Sequence, residues 1–328
     1  MDINSQRNIV LRFDMRRAAQ CPDDQGSRYK TAIEMAAWAD RCEIDVVGLS
    51  EHHATEDGFL SAPLQLAGMM AAVTSRIRIS VSALLVPLHD PLRLAEDIAV
   101  LDLASDGRFS ATCGLGYREQ EYRAAGIDWK SRGKIFDSKL DSLCKLLAGD
   151  TVLINDTEIT LMPRPQSPLQ ALLMIGGNSP AAARRAARLG LIFSPAIDDP
   201  DLERIYTEEC ERLSNWGMTI FPRQPATTFI AEDVAAAWDL IGPYLLYDAT
   251  AYGAWRHANR RAYAESFAAD IEELKIEGKY RILSPQQAVQ TIQSTGSLHL
   301  APLCGGVPIE FGWQSLHLFE QRVLPALH

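Results

Sequence analysis

Short apolar runs alternate with helical periodicity along nearly the whole chain. Residues 8–13 read as a strand and residues 29–42 as an amphipathic helix. The pattern then repeats: a strand over 45–50, a helix over 62–74, a strand over 77–85, a helix over 91–104 and a strand over 108–113. Local chemistry agrees, because Pro91 suits a first helical turn, where its missing N–H costs no bond, and Asp106-Gly107 is a tight-turn signal. Helical periodicity resumes over 136–147. Residues 151–161 then alternate around a polar turn and predict a β-hairpin, a decoration after the fourth unit. A fifth strand is expected over 172–175 with its helix over 180–189, a short sixth strand over 190–194 with its helix over 201–213, and a seventh strand over 226–230. Residues 244–281 mix aromatics with charged helical runs and read as an insertion after the seventh strand. Residues 298–302 and a helix over 313–327 would close an eighth unit.

Eight βα units in one run, with no Pro/Gly/Ser-rich linker between halves, predict an α/β fold: one (β/α)8 TIM barrel domain over residues 1–328. A doubly wound sheet with an appended domain is the less economical reading. Composition adds bounds. Hydrophobic residues make up 47% and charged residues 23% of the 328 positions, an ordinary globular balance with material for a large core. A formal net charge of −10 argues against a nucleic-acid partner, since phosphate binding wants clustered Lys and Arg; a small molecule is expected instead. The six cysteines form no CxxC pair and suggest a reduced, cytoplasmic protein. No membrane association is expected, because residues 1–6 are polar and no uncharged run approaches the ~20 apolar residues of a span.

In a barrel the carboxyl ends of the strands surround one mouth, so motifs at different strand ends can be read together. Glu51-His52-His53 follows the second strand. Adjacent histidines there are open to a structural, a metal-binding or a catalytic reading; neither HExxH nor a second cluster of His and Asp ligands supports the metal. Gly176-Gly177-Asn178-Ser179 leads from the fifth strand into a helix, a start whose N–H groups suit a phosphate or simply make a good cap. Gly114-Leu115-Gly116-Tyr117-Arg118 follows the fourth strand and lacks the third glycine of a dinucleotide fingerprint. There Tyr117 could stack on a ligand, and Arg118 could pair with its phosphate or with Glu119 or Glu121 at the surface. Ser82-Ala83, near the end of the third strand, could let a flat ring lie against the backbone, or could be core packing.

Together with residues 50–58, Leu94-Ala95-Glu96-Asp97, Leu101-Asp102 and Gly107-Arg108-Phe109, these motifs resemble the bacterial luciferase-like flavin-dependent monooxygenases, a family of (β/α)8 barrels. The resemblance implies reduced FMN from a separate flavin reductase, with dioxygen as co-substrate and a small organic molecule as the compound oxygenated. It makes His52 the active-site histidine, Ser82 and Ala83 the support of the flavin ring, and Gly176, Gly177, Asn178 and Ser179 the phosphate turn. Glu51 is assigned to the catalytic pair with His52, as the group that orients it or a neighbouring backbone group. Gly116, Tyr117 and Arg118 complete the cofactor-binding set. No metal is expected, and a homodimer is, since relatives pair through barrel helices. Leu84, Leu85 and Phe59 would keep the mouth dry, and an imidazole near neutrality can exchange protons there.

One departure stands out. The luciferases carry a reactive cysteine near the flavin, whereas this chain has Gly114 there and Cys113 one position earlier, facing the other side of the strand. Light emission with a long-chain aldehyde is therefore not implied. Three alternatives stay open: a deazaflavin-dependent hydride-transfer oxidoreductase, a non-catalytic flavin-binding barrel, and a phosphate-binding barrel isomerase or aldolase, for which no strand-end Lys is present.

Overall fold

A computed structural model describes residues 7–222, 227–255 and 266–327. Its first four strands are β1 (Asn8–Phe13), β2 (Val46–Leu49), β3 (Arg78–Leu84) and β4 (Phe109–Cys113), separated by helices α1 (Gln25–Arg41), α2 (Pro63–Ala72) and α3 (Pro91–Ala104). After β4 come a short helix α4 (Glu119–Ala124) and the long α5 (Arg132–Ala148). The hairpin β5 (Thr151–Ile154) and β6 (Thr157–Thr160) follows, then the single turn α6 (Leu169–Leu172). The second half holds β7 (Leu173–Gly176), α7 (Pro180–Leu189), β8 (Ile192–Ser194), α8 (Pro200–Leu213), β9 (Thr227–Ile230) and α9 (Val234–Ala254). It ends with α10 (Ile271–Glu277), β10 (Tyr280–Leu283), α11 (Pro285–Thr295), β11 (Ser297–Leu300) and α12 (Ile309–Leu318).

Nine strands form one sheet in the order β10-β9-β11-β1-β2-β3-β4-β7-β8, and every pairing in it is parallel; the hairpin stands apart as its own antiparallel pair. Alternation along β1 explains the layering. Ile9, Leu11 and Phe13 are buried and join Met35, Leu66, Ile98 and Leu140 in the layer shared with the helices. Arg12, on the opposite face, lies beside Gly48 of β2, where an added Cβ would stand 3.9 Å from its Cγ. Along β1 one face is thus buried under the helices and the other carries Asn8, Val10 and Arg12.

Several boundaries fall where the local chemistry dictates. Helix α3 starts at Pro91 behind Asp90, whose carboxylate accepts the N–H groups of Leu92 and Arg93; α7 starts at Pro180 behind Ser179 and stops at left-handed Gly190. Other features differ from the sequence pattern. Residues 244–281 are not a simple insertion: α9 runs 21 residues through Pro243, and β10 is a ninth parallel strand paired with β9 from Tyr280↔Thr227 to Leu283↔Ile230. Among the described residues hydrogen bonding does not close the ring, because β10 and β8 are edges and β8 gains only the parallel bridge Phe193↔Thr219. Helix α11, set by a Ser284/Gln287 capping box, was not anticipated. The expected last helix breaks at Leu318 into a wider turn and then a tighter one. The expected seventh strand begins at residue 226, outside the described residues. No described helix is long and apolar enough to cross a membrane.

Candidate active site

The end of β2 delivers two carboxylate-centred networks. Glu51 is buried, and both its oxygens are engaged. Oε1 lies 2.8 Å from His53 Nε2 and 2.7 Å from His89 Nε2, and Oε2 accepts the backbone N–H of Leu85 at 2.5 Å. Burial alone would raise its pKa; the bonds from His53, His89 and Leu85 outweigh that and hold the carboxyl down at about 2. Glu51 therefore remains ionised and does not touch His52.

His52 is only 6% exposed. Its Nδ1 lies 3.0 Å from Glu121 Oε1, and its Nε2 lies 3.1 Å from the Tyr117 hydroxyl. Desolvation lowers the imidazole pKa, with Arg118 and Arg16 acting in the same direction, and Glu121 opposes the shift without reversing it. The ring is thus neutral at neutral pH. With Glu121 ionised, the consistent tautomer puts the proton on Nδ1 and leaves the Nε2 lone pair for Tyr117. Glu121 Oε1 also accepts the His53 amide at 2.9 Å and Arg118 Nη1 at 3.1 Å, whereas its buried Oε2 has no hydrogen-bond partner among the described residues. Phe59, Tyr117 and Trp255 pack around the imidazole with ring centroids 4.7, 5.3 and 4.9 Å away.

The neighbouring strand end carries the small residues Ser82 and Ala83. Ser82 is exposed and Ala83 half-buried, their peptide bond is cis, and the Ser50 hydroxyl donates to Ser82 O at 2.9 Å. Gly114 donates its amide to Leu84 O at 2.8 Å, and a Cβ at Gly114 would come within 2.7 Å of the Ala83 Cβ. That close approach explains why no side chain stands at 114. Cys113 lies in the layer packed against the helices, and burial, with Cys144 nearby, drives its thiol pKa well up.

Two strands further along the sheet, β7 ends in the Gly176–Ser179 turn. A Cβ at Gly176 would meet Thr112 Cγ2 at 2.9 Å, and Gly177, at φ +122, would bring one to 3.0 Å from Ala182. Asn178 Oδ1 accepts the Ala196 amide at 2.8 Å, and Ser179 Oγ caps α7 through the Ala182 amide at 3.3 Å. Arg185 is tied to Asp137 at 2.6 Å. The turn offers backbone rather than side-chain charge. A ring surface free of large side chains and a glycine turn at a helix start fit a flavin with a phosphate tail.

The structure thus brings His52, Tyr117 and Arg118 into one network and puts Glu51 in another. Arg118 pairs with Glu121, but in the interior, and it also stacks over Trp255 at 4.3 Å. Gly116 sits at φ +74 beside Leu85. Sequence reasoning missed Glu121 as the partner of His52 and His89 as a partner of Glu51. It also missed Arg16, whose buried guanidinium lies over Phe59, Tyr252 and Trp255 at 5.1, 4.5 and 4.3 Å. Asp14, Asp248 and Cys304 present donor atoms within 4.8 Å of one another, but Arg16 and the Tyr280 hydroxyl already bond Asp248, at 3.1 and 2.6 Å.

A family model described as luciferase-like monooxygenase matches residues 13–293. The alkanal monooxygenase alpha chain of a Kryptophanaron alfredi symbiont is 25% identical over 173 residues, 51% of this chain and 48% of that protein, so the match spans about half that relative's length. The oxygenating constituent of Pseudomonas putida 3,6-diketocamphane monooxygenase, solved in complex with FMN, is similar at a TM-score of 0.71 and 19% identity, over 98% of both chains. An F420-dependent secondary alcohol dehydrogenase shares the fold at a TM-score of 0.68 and 16% identity, over 98% of this chain and 99% of that one.

Proposed function

The chain belongs to the luciferase-like monooxygenase family, and on that footing we propose that it is a flavin-dependent monooxygenase using reduced FMN and dioxygen to oxygenate a small organic substrate. Reduced FMN would supply the electrons for oxygen activation. Ser82 and Ala83 would carry its ring, and the amides of Gly177, Asn178 and Ser179 its phosphate. His52 would hold or move a proton at Nε2, with Tyr117 as the adjoining hydroxyl; Glu121 fixes the opposite nitrogen and so the ring's orientation. Arg118 balances the Glu121 charge, and Phe59, Leu84 and Leu85 exclude water.

The observation that carries this reading is a buried, neutral His52 oriented by Glu121 one strand away from the Ser82–Ala83 surface. Replacing His52 by Ala should lower oxygen-dependent turnover while FMN binding persists; turnover at the wild-type level in that variant contradicts it.

A separate reductase is part of the proposal, because the glycines after β4 lack a nicotinamide fingerprint. So is a homodimer. Met69 and Val73 at the end of α2, and Val100 and Leu103 on the adjacent α3, are large apolar residues exposed by 54, 46, 55 and 42%. Sedimentation of the wild type and of a Met69→Glu/Val100→Glu double variant reads this directly: a dimer converted to monomer is expected, and a monomeric wild type contradicts it. The second reading, hydride transfer with a deazaflavin, is favoured by the likeness to the F420-dependent dehydrogenase.

A further inference from the structure

The ends of two neighbouring strands, β2 and β3, meet at Glu51. Its Oε1 receives His53 from the β2 end at 2.8 Å and His89 from the loop before α3 at 2.7 Å, while Oε2 receives the Leu85 amide at 2.5 Å. Leu85 directly follows β3, so this last bond fixes the chain three residues beyond Ser82. Other ties hold the same stretch, among them Ser50 Oγ to Ser82 O at 2.9 Å, the Gly114 amide to Leu84 O at 2.8 Å and the Leu88 amide to Leu85 O at 2.9 Å, and these join neutral groups. His89 is held in turn, because Lys139 of α5 donates to its carbonyl and to that of Pro87, both at 2.7 Å. Around this knot the charged neighbours are Glu121 and Arg118, which act on His53.

We propose that Glu51 is a positioning residue which clamps the Ser82–Leu85 surface in the shape that receives the flavin ring, and that it takes no part in proton exchange with substrate. The proposal rests on the flavin reading above. Geometry carries it: among the described residues the hydrogen-bond contacts of the carboxylate are to His53, His89 and Leu85, none is to His52, and its side chain is fully buried. A neutral amide cannot reproduce the clamp. Glutamine offers one oxygen, where the carboxylate accepts two imidazoles and a backbone N–H on two oxygens, and its NH2 group would face a donor.

The test compares Glu51→Gln with His52→Ala in the full chain. It reads three quantities: amide exchange at Leu85, the FMN dissociation constant, and kcat at saturating flavin. Loss of a charge-assisted bond should speed Leu85 exchange and raise the FMN Kd by about tenfold or more in Glu51→Gln, with kcat within about threefold of wild type. His52→Ala should show the reverse split. His89→Ala, which leaves the Leu85 bond in place, should shift exchange and Kd in the same direction by less, and it serves if Glu51→Gln does not fold. A fall in kcat with unchanged Kd, or unchanged Leu85 exchange, overturns the proposal. If wild-type protein binds no flavin, the functional reading fails, and the exchange measurement still decides the clamp.

Discussion

The β2 end and the β7 turn face the same barrel mouth with opposite chemistry. At β2 every position is fixed by charge: Glu51 and Glu121 are both ionised, and between them they accept His52, His53, His89 and Arg118. At β7 the chain removes side chains instead, with Gly176 and Gly177 where a Cβ would crowd Thr112 and Ala182. The contrast separates two tasks. A proton-handling group needs a fixed tautomer, whereas a phosphate needs donors and room. Mutations on the two sides should therefore fail in different ways.

The largest effect should come from His52→Ala, which removes the imidazole bonded to both Glu121 and Tyr117. Turnover should fall by about 10²–10⁴, the usual worth of general acid–base catalysis, with the FMN Kd within about threefold. Steady-state oxygen consumption with an added reductase measures it. Gly177→Ala should do the opposite. At φ +122, with Ala182 3.0 Å away, the substitution should weaken FMN binding by about tenfold and cost ~1–3 kcal/mol of stability, while kcat at saturating flavin survives. Glu121→Gln should act more gently on turnover but visibly on its pH profile. Glu121 raises the His52 pKa against burial, so its removal moves the acid limb to lower pH.

The smallest effect should be on stability against pH. The depressed Glu51 carboxyl stabilises the fold fully above its ordinary value of 4.5, and that contribution is lost as pH falls toward about 2. The His53 pKa is raised, chiefly by its bond to Glu51, so its contribution is complete below 6.5 and fades as pH rises through the raised value. Thermal melts across pH should show both slopes in wild type and a flatter curve in Glu51→Gln.

The barrel was legible wherever a strand was long enough to alternate and a helix carried its own punctuation. Pro91 behind Asp90, and Pro180 behind Ser179, fixed two helix starts to the residue. Tyr280–Leu283 was not legible, because four residues with one charge in the middle carry little periodicity, and parallel pairing to β9 supplies what the sequence lacks. The motifs showed which strand ends matter but not which side chains meet. Glu51 and His52 are adjacent, yet consecutive residues leaving a strand point in different directions, and they entered separate networks. Glu121 lies 69 residues from His52. Its only local signal was the i,i+3 spacing to Arg118, which reads equally well as a surface pair.

The decisive measurement is a titration of the purified protein with reduced FMN, oxidised FMN and deazaflavin, followed by rapid mixing of the bound form with dioxygen. Tightest binding of reduced FMN, followed by oxygen-dependent reoxidation that His52→Ala alters, is the expected result. Tight binding of deazaflavin alone, with no reaction of the bound cofactor with oxygen, would contradict a flavin-dependent monooxygenase.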